Sequence, residues 1–153
     1  MDMDTIFQTA QLLVEDMAEK IETPAPDRMD VYMISPQDLV SAAAGLRVKR
    51  LGYLAAITGL DPGVDMDVLE VLYHFCTDSA TITLRFQLPK KSPSIPSLCE
   101  IIPGAEPFER ELSEMFGIKV IGLPNPEHLY LPDDWIEGDY PLRKDFNRGA
   151  ISV

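Results

Sequence analysis

The chain has 153 residues, of which 46% are hydrophobic and 25% charged, a composition typical of one globular domain with its own core. Its formal net charge of −12 argues against nucleic acid binding and against direct docking on an anionic membrane, because both need clustered Lys and Arg. The acidity fits either simple solubility or a basic protein partner. Two cysteines and two histidines provide for neither a disulfide framework nor a four-thiolate metal site.

The sequence carries no sign of membrane insertion or export. No apolar run approaches the ~20 residues that a membrane-spanning helix needs. The first residues, Met1 to Asp4, are acidic where a signal peptide is basic. Together with the low cysteine count, these features predict a cytoplasmic, reducing location.

The first third of the chain is predicted to form a helix, a strand and a second helix. Apolar residues at helical spacing predict an amphipathic first helix that is stopped by Pro24: Ile6, Ala10, Leu13, Val14, Met17 and Ile21. A short strand is predicted over Asp30 to Ile34. Ser35 is the predicted N-cap of the next helix, with Pro36 at its first position. The predicted inner face of that helix consists of Leu39, Val40, Ala43 and Leu46.

Three further strands are predicted in the middle of the chain, over Tyr53 to Thr58, Asp67 to Cys76 and Thr81 to Leu88. In the last of these, apolar and polar residues alternate, which is the pattern of a strand with one buried face. Its inward residues are expected to be Ile82, Leu84, Phe86 and Leu88. The inward residues of the second are expected to be Leu69, Val71, Tyr73 and Phe75, with His74 facing outward. The order of elements predicts an α+β fold, with helices packed on one face of a small mixed or antiparallel sheet.

The back of the chain is irregular and rich in proline. A short helix is predicted over Ser94 to Ile101, and another over Glu106 to Phe116, with Gly117 as its C-cap. Beyond Gly117 no long periodic element follows, although large apolar residues are frequent, which argues against disorder. We therefore predict an α+β domain over residues 1–117 and an extended arm over residues 118–153 that docks on partner subunits.

The densest charge cluster lies in the predicted 106–116 helix and consists of Glu109, Arg110, Glu111 and Glu114. Paired carboxylates can serve as a general acid and base, so one hypothesis is a stand-alone acid/base enzyme that uses Glu109, Glu111 and Glu114. The favoured interpretation is a self-neutralising or partner-facing helix edge, with Arg110 paired to Glu114 four residues later. No histidine or nucleophile lies nearby in the sequence to complete an active site.

The remaining reactive residue types are expected to have structural roles. Cys76 and Cys99 are predicted to be small core residues. His128 is followed by Asp133 and Asp134, but a strand between them would point alternate side chains apart. A partner contact or a structural hydrogen bond is therefore expected at His128, and not a metal site.

Several ordered motifs in the back half resemble the family of the C subunit of respiratory complex I (NADH-quinone oxidoreductase). They are Pro93-Ser94-Ile95-Pro96-Ser97, the stretch from Glu109-Arg110-Glu111 to Gly117, His128-Leu129-Tyr130-Leu131-Pro132-Asp133-Asp134-Trp135, and Tyr140-Pro141-Leu142-Arg143-Lys144-Asp145-Phe146. The chain is also similar to the equivalent small subunit of energy-converting membrane-bound [NiFe]-hydrogenase-type complexes.

The resemblance implies a non-catalytic structural subunit of the peripheral, cytoplasmic arm of a membrane-bound electron-transfer, ion-translocating complex. It implies no cofactor in this chain, with iron-sulfur clusters and a NiFe or quinone site in partner subunits. The implied partners are a hydrogenase-type large subunit, an iron-sulfur small subunit and a ferredoxin-like iron-sulfur subunit, with the membrane arm contacted indirectly. An assembly factor of the same complex is the remaining alternative.

The residues expected to bind partners combine charges with the aromatic side chains that dominate interface hot spots. They are Glu109, Arg110, Glu111, His128, Tyr130, Trp135, Tyr140, Arg143, Lys144 and Phe146. Arg143 and Lys144 are expected to be the main charge contacts, and to matter little to the fold of the domain itself.

Overall fold

The computed structural model describes residues 1–146, so residues 147–153 of the predicted arm lie outside the described part. The helices are α1 (Met3–Val14), α2 (Leu39–Val48) and α3 (Glu106–Phe116). The strands are β1 (Ala18–Ala25), β2 (Arg28–Met33), β3 (Tyr53–Leu60), β4 (Val68–Cys76), β5 (Thr81–Pro89), β6 (Ser94–Pro96) and β7 (Lys119–Ile121). Single 3₁₀ turns occupy Glu15–Met17, Pro36–Asp38 and Pro103–Ala105.

Five strands form one mixed sheet in the order β1-β2-β5-β4-β3. β2 and β5 are parallel, and the other neighbours are antiparallel. The two short strands β6 and β7 pair in parallel as a separate sheet. The predicted α+β fold with a mixed sheet is confirmed.

The alternation of buried residues along β4 and β5 shows which face of the sheet packs against the core. Val71 lies opposite Phe86 and Tyr73 opposite Leu84, and all four side chains are buried. The inward residues predicted for both strands are confirmed: Leu69, Val71, Tyr73, Phe75, Ile82, Leu84, Phe86 and Leu88. The buried faces of α1 and α2 belong to the same core cluster, so both helices cover this face of the sheet.

The first helix is shorter than its apolar pattern predicts. α1 ends at Val14, and the residues that were expected to continue it to Ile21 form the 3₁₀ turn Glu15–Met17 and the start of the edge strand β1. Ile21 pairs with Val31 of β2, so β1 forms a ladder of main-chain hydrogen bonds with β2. A longer α1 would leave the outer edge of β2 without these bonds. Pro24 is compatible with this strand because an edge strand needs N–H donors on one side alone.

The predicted helix from Ser94 to Ile101 is also wrong. Ser94–Pro96 is a strand, and Ser97 N–H continues its pairing by donating to the Ile121 carbonyl at 2.8 Å. Pro96 disfavours the helical conformation of the residue before it, Ile95, and favours an extended one. Ile95 is fully buried, which anchors the strand to the core.

The second helix begins as predicted and ends in an unusual way. Ser35 Oγ accepts the Gln37 N–H at 3.3 Å, although Val40, expected on the inner face, is exposed. After the helix, Leu51 N–H donates to the Leu46 carbonyl at 2.9 Å, and Arg50 N–H to the Arg47 carbonyl at 3.0 Å. This Schellman motif requires a left-handed residue, normally glycine.

Arg50 occupies that left-handed position with φ 56°. In this conformation the Cβ of a side chain lies too close to a backbone carbonyl oxygen, at a cost of about 1 kcal/mol. Glycine has no Cβ and avoids this contact. The sequence therefore keeps a guanidinium at a position where glycine would be less strained.

Candidate protein-interaction site

Helix α3 has the predicted bounds and a geometry that brings it close to the sheet. Pro107 lies in its first turn, and Gly117 ends it in the left-handed conformation, φ 71°. Leu112 and Phe116 are buried against β3, where a Cβ at Gly59 would overlap the Phe116 ring. The remaining faces of α3 present the charged residues of the predicted cluster.

Glu109 is completely buried and binds the segment that follows β6. Its carboxylate accepts Ser97 Oγ–H at 2.7 Å, Leu98 N–H at 2.6 Å and Cys99 Sγ–H at 3.2 Å. Burial raises the pKa of the Cys99 thiol to about 11, so the thiol stays protonated and can donate. Glu109 was expected to contact a partner, and within this chain it instead has an internal role.

The buried hydroxyl of Tyr73 has no hydrogen-bond partner among residues 1–146. Burial raises the pKa of this phenol well above its ordinary value, with the charge of Glu109 adding to the effect. Tyr73 is therefore neutral at physiological pH.

Glu114 holds the arm from the other side of α3. Its carboxylate accepts the N–H groups of Leu129 at 2.9 Å and Tyr130 at 2.8 Å, and its side chain is almost completely buried. Hydrogen bonds to an ionised acceptor are stronger than those between neutral groups. One carboxylate on a rigid helix can therefore hold consecutive positions of an irregular segment.

Arg110, one turn earlier on α3, also binds the arm, and Glu114 and Arg110 together form a clamp on its main chain. Its guanidinium donates to the carbonyls of Glu127 at 3.0 Å and His128 at 2.9 Å. The expected ion pair with Glu114 is not formed, and Arg110 Nη1 lies 3.8 Å from Glu106 Oε1 in the preceding turn. An ion pair between Arg110 and Glu114 would leave the arm's carbonyls without this donor. Both side chains instead form hydrogen bonds with the main chain of the arm.

The three carboxylates of the predicted acid/base set do not converge. Glu109 binds residues 97–99, Glu114 binds residues 129–130, and Glu111 makes no side-chain hydrogen bond within residues 1–146. A general acid and base must reach the same substrate. The geometry therefore offers no support for the stand-alone enzyme.

The C-terminal end of α3 receives the last part of the arm. Arg143 Nε donates to the Phe116 carbonyl at 2.7 Å, and Leu142 N–H donates to the Met115 carbonyl at 3.1 Å. The Arg143 guanidinium also lies 4.8 Å from the centre of the Tyr140 ring. That ring covers Gly117 so closely that a Cβ at this glycine would overlap it. Arg143, expected to matter little to the fold, thus caps a helix of its own domain.

Asp61 holds the arm from outside α3, a role that the sequence did not indicate. Its buried carboxylate accepts Lys144 N–H at 2.8 Å, Gly63 N–H at 3.0 Å and the Lys90 ammonium at 3.1 Å. Burial alone would raise its pKa, but these hydrogen bonds and the Lys90 charge outweigh it and lower the pKa of Asp61. The sequence Asp61-Pro62-Gly63 indicates a turn, but no sequence pattern predicts the contact between Asp61 and Lys144.

The arm also closes on itself. Trp135 stacks on Phe146 with ring centres 6.3 Å apart, and its Nε1–H donates to the Asp139 carbonyl at 2.8 Å. His128 Nδ1 lies 3.1 Å from the Pro132 carbonyl oxygen, which agrees with the structural hydrogen bond expected there. Among residues 1–146, no group of three or more His, Cys, Asp or Glu side chains is placed to hold a metal ion.

The predicted aromatic anchors therefore differ in availability. Tyr130 is 66% exposed, whereas Trp135, Tyr140 and Phe146 are half-buried against other parts of the arm and α3. The arm also exposes large aliphatic side chains that the sequence analysis did not single out: Ile121, Ile136 and Leu142. Lys144 is exposed, and Glu111 is half-buried.

The architecture is that of an α+β domain whose arm is held by polar contacts and carries exposed apolar residues. Solved structures with this fold include a chain of an archaeal membrane-bound sulfane sulfur reductase, at TM-score 0.71 and 20% identity, covering 93% of this chain and 85% of that one. A trypsin-resistant fragment of Nqo5 matches at TM-score 0.63 and 22% identity, covering 82% and 99%.

Sequence comparison identifies the family. The chain belongs to the family of the 30 kDa subunit of respiratory-chain NADH dehydrogenase, whose model matches residues 32–151. A relative from Roseiflexus sp. (strain RS-1), the C subunit of NADH-quinone oxidoreductase, is 38% identical over 130 residues, which span 82% of this chain and 73% of the relative. Among residues 1–146, no helix is both long and apolar enough to span a bilayer.

Proposed function

We propose that this chain is a non-catalytic structural subunit of the peripheral, cytoplasmic arm of a membrane-bound electron-transfer and ion-translocating complex, of the complex I or energy-converting hydrogenase type. Family membership supports this proposal, as does the shared fold with a chain of an archaeal respiratory membrane complex. In this proposal the iron-sulfur clusters, and the NiFe or quinone site, belong to partner subunits and none to this chain.

The observation that carries the proposal is the way the arm is built. Glu114 and Arg110 of α3 bind the main chain of the arm near residue 129, and Arg143 of the arm donates to the Phe116 carbonyl at the end of α3. Between these points Tyr130 is 66% exposed and Ile136 62% exposed. A segment that is ordered before it meets its partner loses less conformational entropy on binding, so its exposed apolar groups contribute more affinity.

The proposed occupant of this surface is the hydrogenase-type large subunit, with the iron-sulfur small subunit and the ferredoxin-like iron-sulfur subunit beside it and the membrane arm reached indirectly. Tyr130, Ile136 and Leu142 would fill apolar depressions of the large subunit. The Lys144 ammonium would pair with acidic groups of the partner, and the acidic remainder of the chain with basic ones.

The test is the amount of chain that stays in the purified complex. In membranes solubilised with a mild detergent, quantitative mass spectrometry of the tagged chain should find one copy per large subunit. The double variant Tyr130→Ser/Ile136→Ser should lower this retention about 30-fold, because hot-spot residues contribute about 2 kcal/mol or more. Both side chains are exposed, so the melting temperature of the free chain should not fall.

Leu12→Ser is the matched control, because Leu12 is 72% exposed but lies on α1, away from the arm. This variant should be retained like the unmodified chain. Absence of the unmodified chain from the purified complex would refute the structural-subunit role. Equal losses for the control and the arm variant would refute the assignment of the contact to the arm.

A further inference from the structure

A second surface, outside the arm, combines a pocket with uncompensated positive charge. The pocket has a volume of about 650 Å³ and lies where α2 ends and β3 begins, beside the loop before α3. Leu54 and Ile102 are its half-buried apolar residues, and Tyr53, 67% exposed, stands at its edge. Arg47, Arg50, Cys76 and Asp78 also line it. Cys76, expected in the core, is thus half-buried beside a surface pocket.

The positive charge comes from Arg47, Lys49 and Arg50, three cations within four positions of a chain with net charge −12. All three are exposed, and among residues 1–146 no carboxylate lies within 4 Å of their charged groups. Asp78 also lines the pocket, which leaves an excess of positive charge there. Most other cations of the described chain are already paired with carboxylates: Lys20, Arg28, Arg85, Lys90 and Arg110.

Arg50 provides an independent indication that the charge is used. It occupies the left-handed position after α2, where glycine satisfies the same Schellman hydrogen bonds with less strain. Residues in sparsely populated backbone conformations cluster at binding sites and switch regions, so Arg50 motivates a functional hypothesis for this surface. Within the described chain, no contact of the guanidinium with a carboxylate accounts for its presence there.

We propose that this pocket binds a short acidic segment of a partner protein, with carboxylates on Arg47 and Arg50 of its lining and on the neighbouring Lys49, and an apolar side chain against Leu54 and Ile102. Arg and Tyr beside an apolar depression are the composition of an interface hot spot, and a guanidinium binds a carboxylate in bidentate fashion. This contact uses no residue of the arm and does not rest on the proposed function.

The net charge favours a short segment over an extended anionic surface. Screening limits electrostatic interactions to roughly 8–10 Å at physiological salt, so a few carboxylates in the pocket experience mainly the local cations. A membrane or a nucleic acid would also face the rest of an acidic chain and be repelled. The pocket is likewise much larger than a single inorganic anion.

The experiment places a photo-crosslinking benzoylphenylalanine at Val48, which is 79% exposed beside the cations and does not line the pocket. The full chain is expressed in its own cells and irradiated, and the crosslinked peptide is sequenced by mass spectrometry. The expected product is one protein segment rich in Asp and Glu. Its yield should be abolished by Arg47→Glu/Arg50→Glu and unchanged by Lys91→Glu, a matched charge reversal at an exposed lysine outside the pocket.

Arg50→Gly separates loss of binding from loss of folding. Glycine suits the left-handed position, so the melting temperature should stay the same or rise by up to about 4 °C. The crosslink yield should nevertheless fall about tenfold. The proposal is overturned if Arg50→Gly leaves the yield unchanged, or if the products are lipid adducts, segments without carboxylates, or absent.

Discussion

The β4–β5 pair and the C-terminal arm are both ordered, but by different forces. β4 and β5 are joined along their whole length by main-chain pairing and bury alternate apolar side chains. The arm beyond β7 has no helix or strand within the described residues, and charged side chains from outside it bind its main chain. Glu114, Arg110 and Asp61 are the chief of these.

The difference shows how an irregular segment can keep apolar side chains free for a partner. In β4, burying Val71 and Phe75 is itself the source of stability, so neither is available for another protein. In the arm, the hydrogen bonds of Glu114 supply the stability, and Tyr130 stays exposed although its own N–H is bound. Substitutions that act on one region should therefore spare the other.

The largest effect is expected in the sheet. Phe86→Ala removes a fully buried ring that packs edge-on against Tyr73 at 5.7 Å, and should lower the free energy of unfolding by about 3–5 kcal/mol. Urea denaturation followed by circular dichroism measures this loss. Leu12→Ala, at an exposed position on α1, should change stability by less than about 0.5 kcal/mol. A small loss for Phe86→Ala would mean that this face is not the core.

A smaller and local effect is expected at the clamp. Glu114→Gln removes the charge that binds Leu129 and Tyr130 N–H, and should lower the free energy of local opening there by about 1–3 kcal/mol. Amide hydrogen exchange should accelerate at residues 129–130 while β4 and β5 stay unchanged. Glu111→Gln, on the same helix but without a bond to the arm, is the control and should change neither region. Equal acceleration in the sheet would show that the two regions open together.

The smallest effect is expected from pH, through Asp61. Its pKa is lower in the folded chain than in the unfolded one, so its contribution is complete above the unfolded value and is lost as pH falls through the folded value. The arm should therefore loosen below about pH 4. The fluorescence of Trp135, the single tryptophan, reports this change.

Asp61→Asn should flatten that transition, whereas Asp133→Asn, at an exposed position of the arm, should leave it as it is. A transition unaffected by Asp61→Asn would mean that another group controls the arm in acid.

The sequence predicted the elements whose pattern and final environment agree. The alternation in β5 and the capped helix α3 are confirmed almost to the residue. The helical spacing of Met17 and Ile21 was misleading, because Met17 ends a 3₁₀ turn after α1 and Ile21 pairs with Val31 of β2. Local pattern could not reveal that competition between a longer helix and a distant strand.

The site was harder to predict because its contacts are long-range. The cluster around Glu109 and Glu114 was recognised, but the two carboxylates bind segments on different sides of α3. Asp61 and Lys144 lie 83 positions apart, and no periodicity connects them. Which side chains meet in such a site depends on the completed fold, as does the exposure of Tyr130 and Ile136.

Hydrogen exchange on residues 118–146, compared between the free chain and the purified complex, tests the central claim most directly. In the free chain, the arm should exchange faster than β4 and β5, because a few polar contacts hold it. In the complex, protection should rise at least tenfold around Tyr130 and Ile136, with β4 and β5 unchanged. Identical exchange of the arm in both states would contradict the proposal that it docks on a partner subunit.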